Sequence, residues 1–397
     1  MKTTSLSQEN NPTTIWMAHL VLALGGLFIG TGEFAAMGLL PNIAQTFQVT
    51  IPTAGYLISI YACGVIVGSP LLVIFGAKME RRFLLYLLAI LVFIGNGASA
   101  FANHFGLETI ARFIAGLPHG AYYGTAGLVA ASLVPHHQRT QAIGRVMLGL
   151  AAANLAGVPL VTWMGQLWGW RSTFGLISLG GIILLLLLPL TVPKIKADQT
   201  ISPLQEVSAM NTRQVWLTLA TAAVGFGGMF AVYSYITPTL IHVTQQPEHR
   251  VPLFLALWGL GMVIGNIIGS WLADQSLLKT IFGLLIWNAI FLGLFTIIAH
   301  SPLWVAICLF LIGTGFALVP ALQARLMDIA PKAQTLASAM NHSAFNLSNA
   351  IGAWTGGIAI STGFGWASIG VVGAILAICG IPLFVFSILI KNKGYSS

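Results

Sequence analysis

Apolar and polar positions in this chain fall in long blocks, not in the short alternations of a soluble fold. A helix crosses a bilayer's hydrocarbon with roughly 20 mostly apolar residues. Runs of about that length lie near 16–40, 52–76, 83–101, 107–133, 141–163 and 171–193. A polar stretch occupies 194–213, and six further runs follow near 214–240, 251–273, 280–299, 303–325, 334–360 and 367–390. The pattern predicts an all-α membrane protein with twelve transmembrane helices. Its domains are an N-terminal six-helix bundle (1–193), a linker (194–213) and a C-terminal six-helix bundle (214–397).

Composition narrows the class. Hydrophobic residues make up 57% of the chain and charged ones 7%, with mean hydropathy +0.88. That is too little polar surface to cover the core of a soluble protein of this size. A lipid bilayer is the solvent that fits. The first apolar run is longer than the core of a secretory signal, which predicts no cleavage. Cys63, Cys308 and Cys379 each stand alone within apolar runs and read as packing residues.

The net charge of +8 brings a nucleic-acid partner to mind, but the basic residues form no stripe. They mark orientation instead. Of the 17 Lys and Arg, Arg171 and Arg250 fall at one set of helix ends and Arg112 inside a helix. The others gather at the opposite ends, the linker and the termini. Both termini and the 194–213 linker are therefore expected in the cytoplasm, as in a multi-pass protein of a bacterial inner membrane.

The two halves repeat. Gly68 and Gly265 are 197 residues apart, Pro135 and Pro331 196, and Trp170 and Trp366 196. Each pair occupies an equivalent place in its half. Parallel repeats of this kind set a solute site between the halves.

Five motifs in register extend this picture over nearly the whole chain. They are Thr31-Gly32-Glu33-Phe34 with Gly38-Leu39-Leu40-Pro41, Arg112 with Gly116, His119 and Gly120, and Gly157-Val158-Pro159. The other two are Trp170-Arg171 with Phe174, and Asn341-His342-Ser343-Ala344-Phe345-Asn346-Leu347. Together they resemble the major facilitator superfamily, in particular the sugar-efflux permeases of its twelve-helix drug:proton antiporter branch. The resemblance implies the major-facilitator fold and a secondary transporter that rocks two halves around a central cavity. It implies a proton-coupled antiporter, acting as a monomer, that exports a small sugar, drug or metabolite, with protons as coupling ion and no cofactor. It also makes Gly157 and Pro159 an antiporter motif in helix 5. An importing symporter or facilitator stays open, since physics alone does not fix direction.

One motif departs from the family. The loop between helices 2 and 3 reads Gly76-Ala77-Lys78-Met79-Glu80-Arg81-Arg82. Aligned on its closing bases, it has Ala77 where the family carries an acid; aligned on Gly76, Glu80 takes that place. The repeat offset favours the first alignment, because 77 + 197 = 274 and Asp274 keeps the acid in the second half. The conformational latch is then expected to use Lys78, Arg81, Arg82 and Asp274.

Charges inside a membrane are costly and mark function by default. Two stand well inside a span. Glu33 lies roughly 12 Å and Arg112 roughly 9 Å from the outer helix ends, at 1.5 Å per residue. Glu33 is the candidate proton carrier, while Arg112 keeps its proton and serves as a fixed charge. A static tie between helices 1 and 4 is the alternative. At 100° per residue, Glu108, Arg112, Ala115, His119 and Tyr122 share one face of helix 4. Glu108 is expected to pair with Arg112 near the surface. His119 suits a proton relay, or equally a packing role. On helix 11, Thr335, Ser338, His342, Phe345, Asn346 and Asn349 share a face, as do Phe226, Phe230, Tyr233 and Thr237 on helix 7. These faces suit a small-molecule pocket, and equally interhelical hydrogen bonding. For Asn154 and Ser348 the packing reading is favoured. An enzyme is disfavoured, because no nucleophile–histidine pairing or metal-ligand spacing occurs in the spans.

Overall fold

The computed structural model describes residues 12–135, 139–196, 210–331 and 333–390, and these form helices with no strand among them. Most of the linker (197–209), and the side chains of Asp274, Thr335 and Ser338, lie outside the described residues. So do the charged termini with Lys2, Lys391 and Lys393.

Helices 1 to 3 are Pro12–Gly38, Ile51–Gly76 and Arg81–Phe101, with a short helix Leu40–Phe47 after the first. Helix 4 is broken into Phe105–Gly116 and His119–Ser132. Helix 5 runs Arg139–Ala152, passes through a π-turn at Ala153–Gly157 and continues as Val158–Trp168. Helix 6 is Trp170–Thr191. Helix 7 comprises Arg213–Gly225 and Gly227–His242. The helical run Val251–Ile298 supplies helices 8 and 9, bending at Ser276 (φ −160°, ψ 88°). Helix 10 joins Pro302–Thr314 to Leu318–Ile329 through a 3-10 turn, and helices 11 and 12 are Gln334–Ser361 and Ser368–Leu389.

Ten helices meet length and apolarity criteria for spanning a membrane among the described residues. The other two, helices 4 and 11, fall short for physical reasons. Helix 4 breaks at Leu117–Pro118, where proline has no N–H to give. Helix 11 carries the polar face Asn341, His342, Asn346 and Asn349, all buried, which lowers its hydropathy. Large apolar side chains such as Phe101, Leu190 and Ile297 are more than three-quarters exposed, as lipid-facing surfaces require.

The repeat seen in the sequence recurs in the packing. A Cβ on Gly116 would meet the backbone of Tyr61 and Val65; a Cβ on Gly313 would meet that of Trp258 and Met262. Adding 197 converts one set into the other: 116 + 197 = 313, 61 + 197 = 258 and 65 + 197 = 262. Helices 2 and 4 therefore cross as helices 8 and 10 do. The halves meet through helix 2 against helix 11 and helix 5 against helix 8, again a pair exchanged by the repeat. This arrangement leaves helices 1, 4, 7 and 10 around the centre.

A prediction follows from these crossings. Gly116→Val and Gly313→Val should each cost about 1–3 kcal/mol by overpacking a backbone contact. Gly124→Val, where a Cβ meets open space, should cost little. Thermal unfolding in detergent measures both. Equal losses at all three positions would refute the close crossings.

Candidate functional site

Helix 1 sets the centre. Gly32 leaves its backbone open, and the Arg112 guanidinium donates to the Gly32 carbonyl at 3.0 Å and the Glu33 carbonyl at 3.4 Å. Arg112 is fully buried, with its guanidinium 4.4 Å from the Tyr61 ring centre and 5.1 Å from that of Phe174. These rings stabilise a desolvated cation without neutralising it. Arg112 thus binds the helix 1 backbone and leaves the Glu33 carboxylate free to engage elsewhere.

That carboxylate faces three polar groups, two of them on its own side of the molecule. Its Oε2 is 3.8 Å from His119 Nδ1, and its Oε1 accepts a 3.5 Å hydrogen bond from Asn349 of helix 11. The Tyr61 hydroxyl is hydrogen-bonded to the same His119 nitrogen at 3.2 Å. A protonated Nδ1 points a donor at Glu33 and Tyr61; a bare Nδ1 accepts from Tyr61. His342 lies beside this group, its ring stacked on Tyr123 (centroids 5.5 Å, 9°) and 6.1 Å from His119. The Glu33–Asn349 contact ties the first half to the second, and burial of both (5% and 0% exposed) makes it sensitive to charge.

Next to this cluster lies an aromatic cavity of about 10 Å³, close to the room one water needs. Phe34, Phe226, Phe230, Tyr233, Trp258 and Asn154 line it, with Met229, Met262 and Phe316. Phe345 closes edge-on against Phe226 at 4.8 Å. The Tyr233 hydroxyl and the Oδ1 atoms of Asn154 and Asn346 are buried without a hydrogen-bond partner. Buried polar atoms are normally paired, so these are the atoms a bound solute or water would satisfy. The Asn346 amide itself donates to the His342 carbonyl at 3.1 Å.

Several sequence expectations are corrected. Tyr122 does not reach the centre: its hydroxyl donates to the Leu22 carbonyl at 3.0 Å inside the first half. The break at Leu117–Pro118 shifts the register of helix 4, so Tyr123 takes the place beside His119. Glu108 is fully buried and makes no ion pair within 4 Å, so Glu33 is not the one carboxylate inside the protein. Asn154 lines the cavity, because the π-turn at Ala153–Gly157 turns it inward; Gly157 there packs on Thr31. Proline at 159 alone did not signal that turn. In the expected latch, Arg82 donates to the Pro189 and Val192 carbonyls and pairs with Glu80 at 3.6 Å, while Lys78 is exposed. Tyr61 and Tyr123 carried no polar-stripe signal, and Phe34 and Trp258 no motif of their own beyond the Thr31–Phe34 run.

At the expected outer end the halves are joined. Thr237 donates to the Met37 and Gly38 carbonyls at 3.2 Å, and Asn42 and Gln166 donate to the side chain and backbone of Glu248.

The described residues form two repeated helical bundles with a buried polar cluster where they meet, the architecture of a membrane transporter. The Major Facilitator Superfamily profile matches residues 22–275 and 247–396. The chain belongs to that family. It is 40% identical over 359 residues to the inner membrane transport protein YdhP of Escherichia coli K12, covering 90% of this chain and 92% of that one. It is 29% identical to a protein of Mannheimia succiniciproducens named a probable sugar efflux transporter, covering 93% of each. Its fold is shared with the crystal structure of a D-xylose-proton symporter (TM-score 0.73, 18% identity, covering 96% of this chain and 100% of that one).

A second prediction concerns the cavity. Tyr233→Ala and Asn346→Ala should each weaken solute affinity about tenfold, the cost of a lost hydrogen bond with its packing. Folding should be retained, as read by size-exclusion elution, with affinity read by ligand-induced thermal shift. Two variants that bind like the parent would show these faces to be packing only.

Proposed function

We propose that this transporter is a proton-coupled antiporter of the inner membrane, exporting a small sugar or sugar-like amphiphile by alternating access. The observation that carries it is the Glu33 carboxylate, buried against His119 and bonded across the halves to Asn349. Protonation there removes the charge from the hydrogen bond that joins the halves and weakens it without breaking it, which couples charge to rocking. Arg112 supplies a fixed positive charge next to it. The lining of Phe, Tyr and Trp faces with a few unpartnered polar atoms suits a solute with apolar faces and hydroxyls. Relatives named as sugar efflux transporters support that class and the outward direction.

The halves 1–193 and 214–397 act as the rocking units, with the 194–213 linker and both termini in the cytoplasm. The joined outer end then makes this a state closed to the outside. Reporter fusions at Lys194 should report the cytoplasm and fusions at Asn103 the outer side. The reverse pattern would overturn the orientation. For the substrate class, labelled mono- and disaccharides should include one that shows counterflow in proteoliposomes. Failure of the whole panel would remove sugars from the reading.

A further inference from the structure

Glu108 is the group the proposed mechanism leaves unused. It stands in the first turn of Phe105–Gly116, yet it is fully buried; the Ser99 hydroxyl and the Arg112 charge lie within reach, but neither carboxylate oxygen makes a well-formed hydrogen bond. Arg112, one turn along the same helix, is committed to the Gly32 and Glu33 carbonyls and leaves its Nε unpartnered. Across from them, helix 3 presents the Ser99 hydroxyl and the Asn96 Oδ1, both buried and also without a well-formed hydrogen bond.

These atoms form one strip. Gly95 of helix 3 lies against the Ala115 backbone of helix 4, and the two helices run antiparallel. That contact sets Asn96 and Ser99 opposite Arg112 and Glu108. At its inner end, the Asn96 Oδ1 is 3.3 Å from where a Cβ on Gly32 would stand, next to Glu33. At its outer end are the Arg171 guanidinium of helix 6, whose charge acts on Glu108, and the His104 ring. Arg171 donates to the Ala102 carbonyl at 2.6 Å, and the His104 Nδ1 caps the Leu107 N–H at 3.1 Å.

A buried carboxylate without well-formed hydrogen bonds is unfavourable. Such a group holds a proton or is solvated by water, and unpartnered neighbours one after another are what ordered waters occupy. We propose that Glu108 is a second proton-exchange site, joined to Glu33 by a water-bearing strip past Ser99 and Asn96. This rests on the proton-coupled reading above and adds the outer half of its proton path. Glu108 takes a proton from outer water and gives it to the strip. The Glu33 carboxylate receives it, and Glu108 is recharged from outside. Arg112 keeps its own protons and fixes the charge along the way.

Infrared difference spectra between acid and alkaline buffer test this on the purified full chain, with protons as the only ligand. The wild-type spectrum should contain carbonyl-stretch bands of protonated buried carboxyls. One band should be lost in Glu108→Gln, another in Glu33→Gln, and both in the double variant. Glu108→Asp, which keeps the acid, should move the first band without removing it, and serves where Glu108→Gln fails to fold. A spectrum that neither Glu108 variant alters overturns the proposal. In proteoliposomes, Glu108→Gln should slow gradient-driven sugar uptake about tenfold and spare counterflow of the same sugar; an unchanged gradient-driven rate also overturns it. Failure of the proton-coupled reading looks different: wild-type uptake would then ignore the pH gradient, whatever the Glu108 band does.

Discussion

Glu33→Gln should fold, bind solute and exchange it, and yet be unable to concentrate it. Glutamine keeps the shape of the side chain and its hydrogen bond with Asn349, so the contact between halves survives. It cannot release or take up a proton. Both ends of a transport cycle then carry the same charge at the centre, and an imposed proton gradient has nothing to act on. Counterflow needs only rocking and should proceed. Uphill uptake should fall by at least about a hundredfold, the scale of losing an essential proton-transfer group. Glu33→Gln that still accumulates solute under a proton gradient would pass the role to another group, with His119, 3.8 Å away, the first candidate.

Arg112→Ala should be the most damaging single change in the first half. Removing it leaves the Tyr61 and Phe174 faces over a cavity, and deprives the Gly32 and Glu33 carbonyls of two hydrogen bonds. A buried charge removed from its partners typically costs about 3–5 kcal/mol. The positive charge beside Glu33 is lost as well. Reduced yield of folded protein and loss of uphill transport should therefore appear together. Arg112→Lys separates them. An ammonium restores the charge but not a planar fork able to reach two carbonyls between two rings. That variant should recover folding and part of transport. If Arg112→Ala matches the wild type in thermal stability, the backbone contacts do not hold helix 1 in place.

The sequence was informative wherever one residue's surroundings are set by its own helix. Twelve apolar blocks were legible because a bilayer demands them. The offset of 197 was legible because Gly68 and Gly265 must meet a neighbouring backbone, in Leu117 and Thr314. Glu33, Arg112 and His119 stood out as charges or polar groups in apolar runs, and the fold brings them together. What helical periodicity did not reveal depends on breaks and on partners from other helices. Tyr122 and Tyr123 exchanged places because the chain kinks at Leu117–Pro118. Glu108 seemed superficial by its distance from a helix end, but the packing of helix 3 against this part of helix 4 buries it. Arg112 was placed against a carboxylate by charge alone, while the structure gives it carbonyls and aromatic faces. Asn349 belonged to a recognised polar face, yet its bond to Glu33 joins positions 316 apart in the chain, which no local pattern encodes.

Proton coupling through Glu33 is tested most directly by imposing opposite pH gradients on proteoliposomes and following a labelled sugar that shows counterflow. Antiport predicts that wild-type vesicles accumulate the sugar when the inside is acid, as protons leave in exchange, and that Glu33→Gln vesicles accumulate it under neither gradient. Accumulation with the acid outside would make the protein a symporter. Wild-type accumulation under neither gradient, or uphill uptake by Glu33→Gln, would contradict the account.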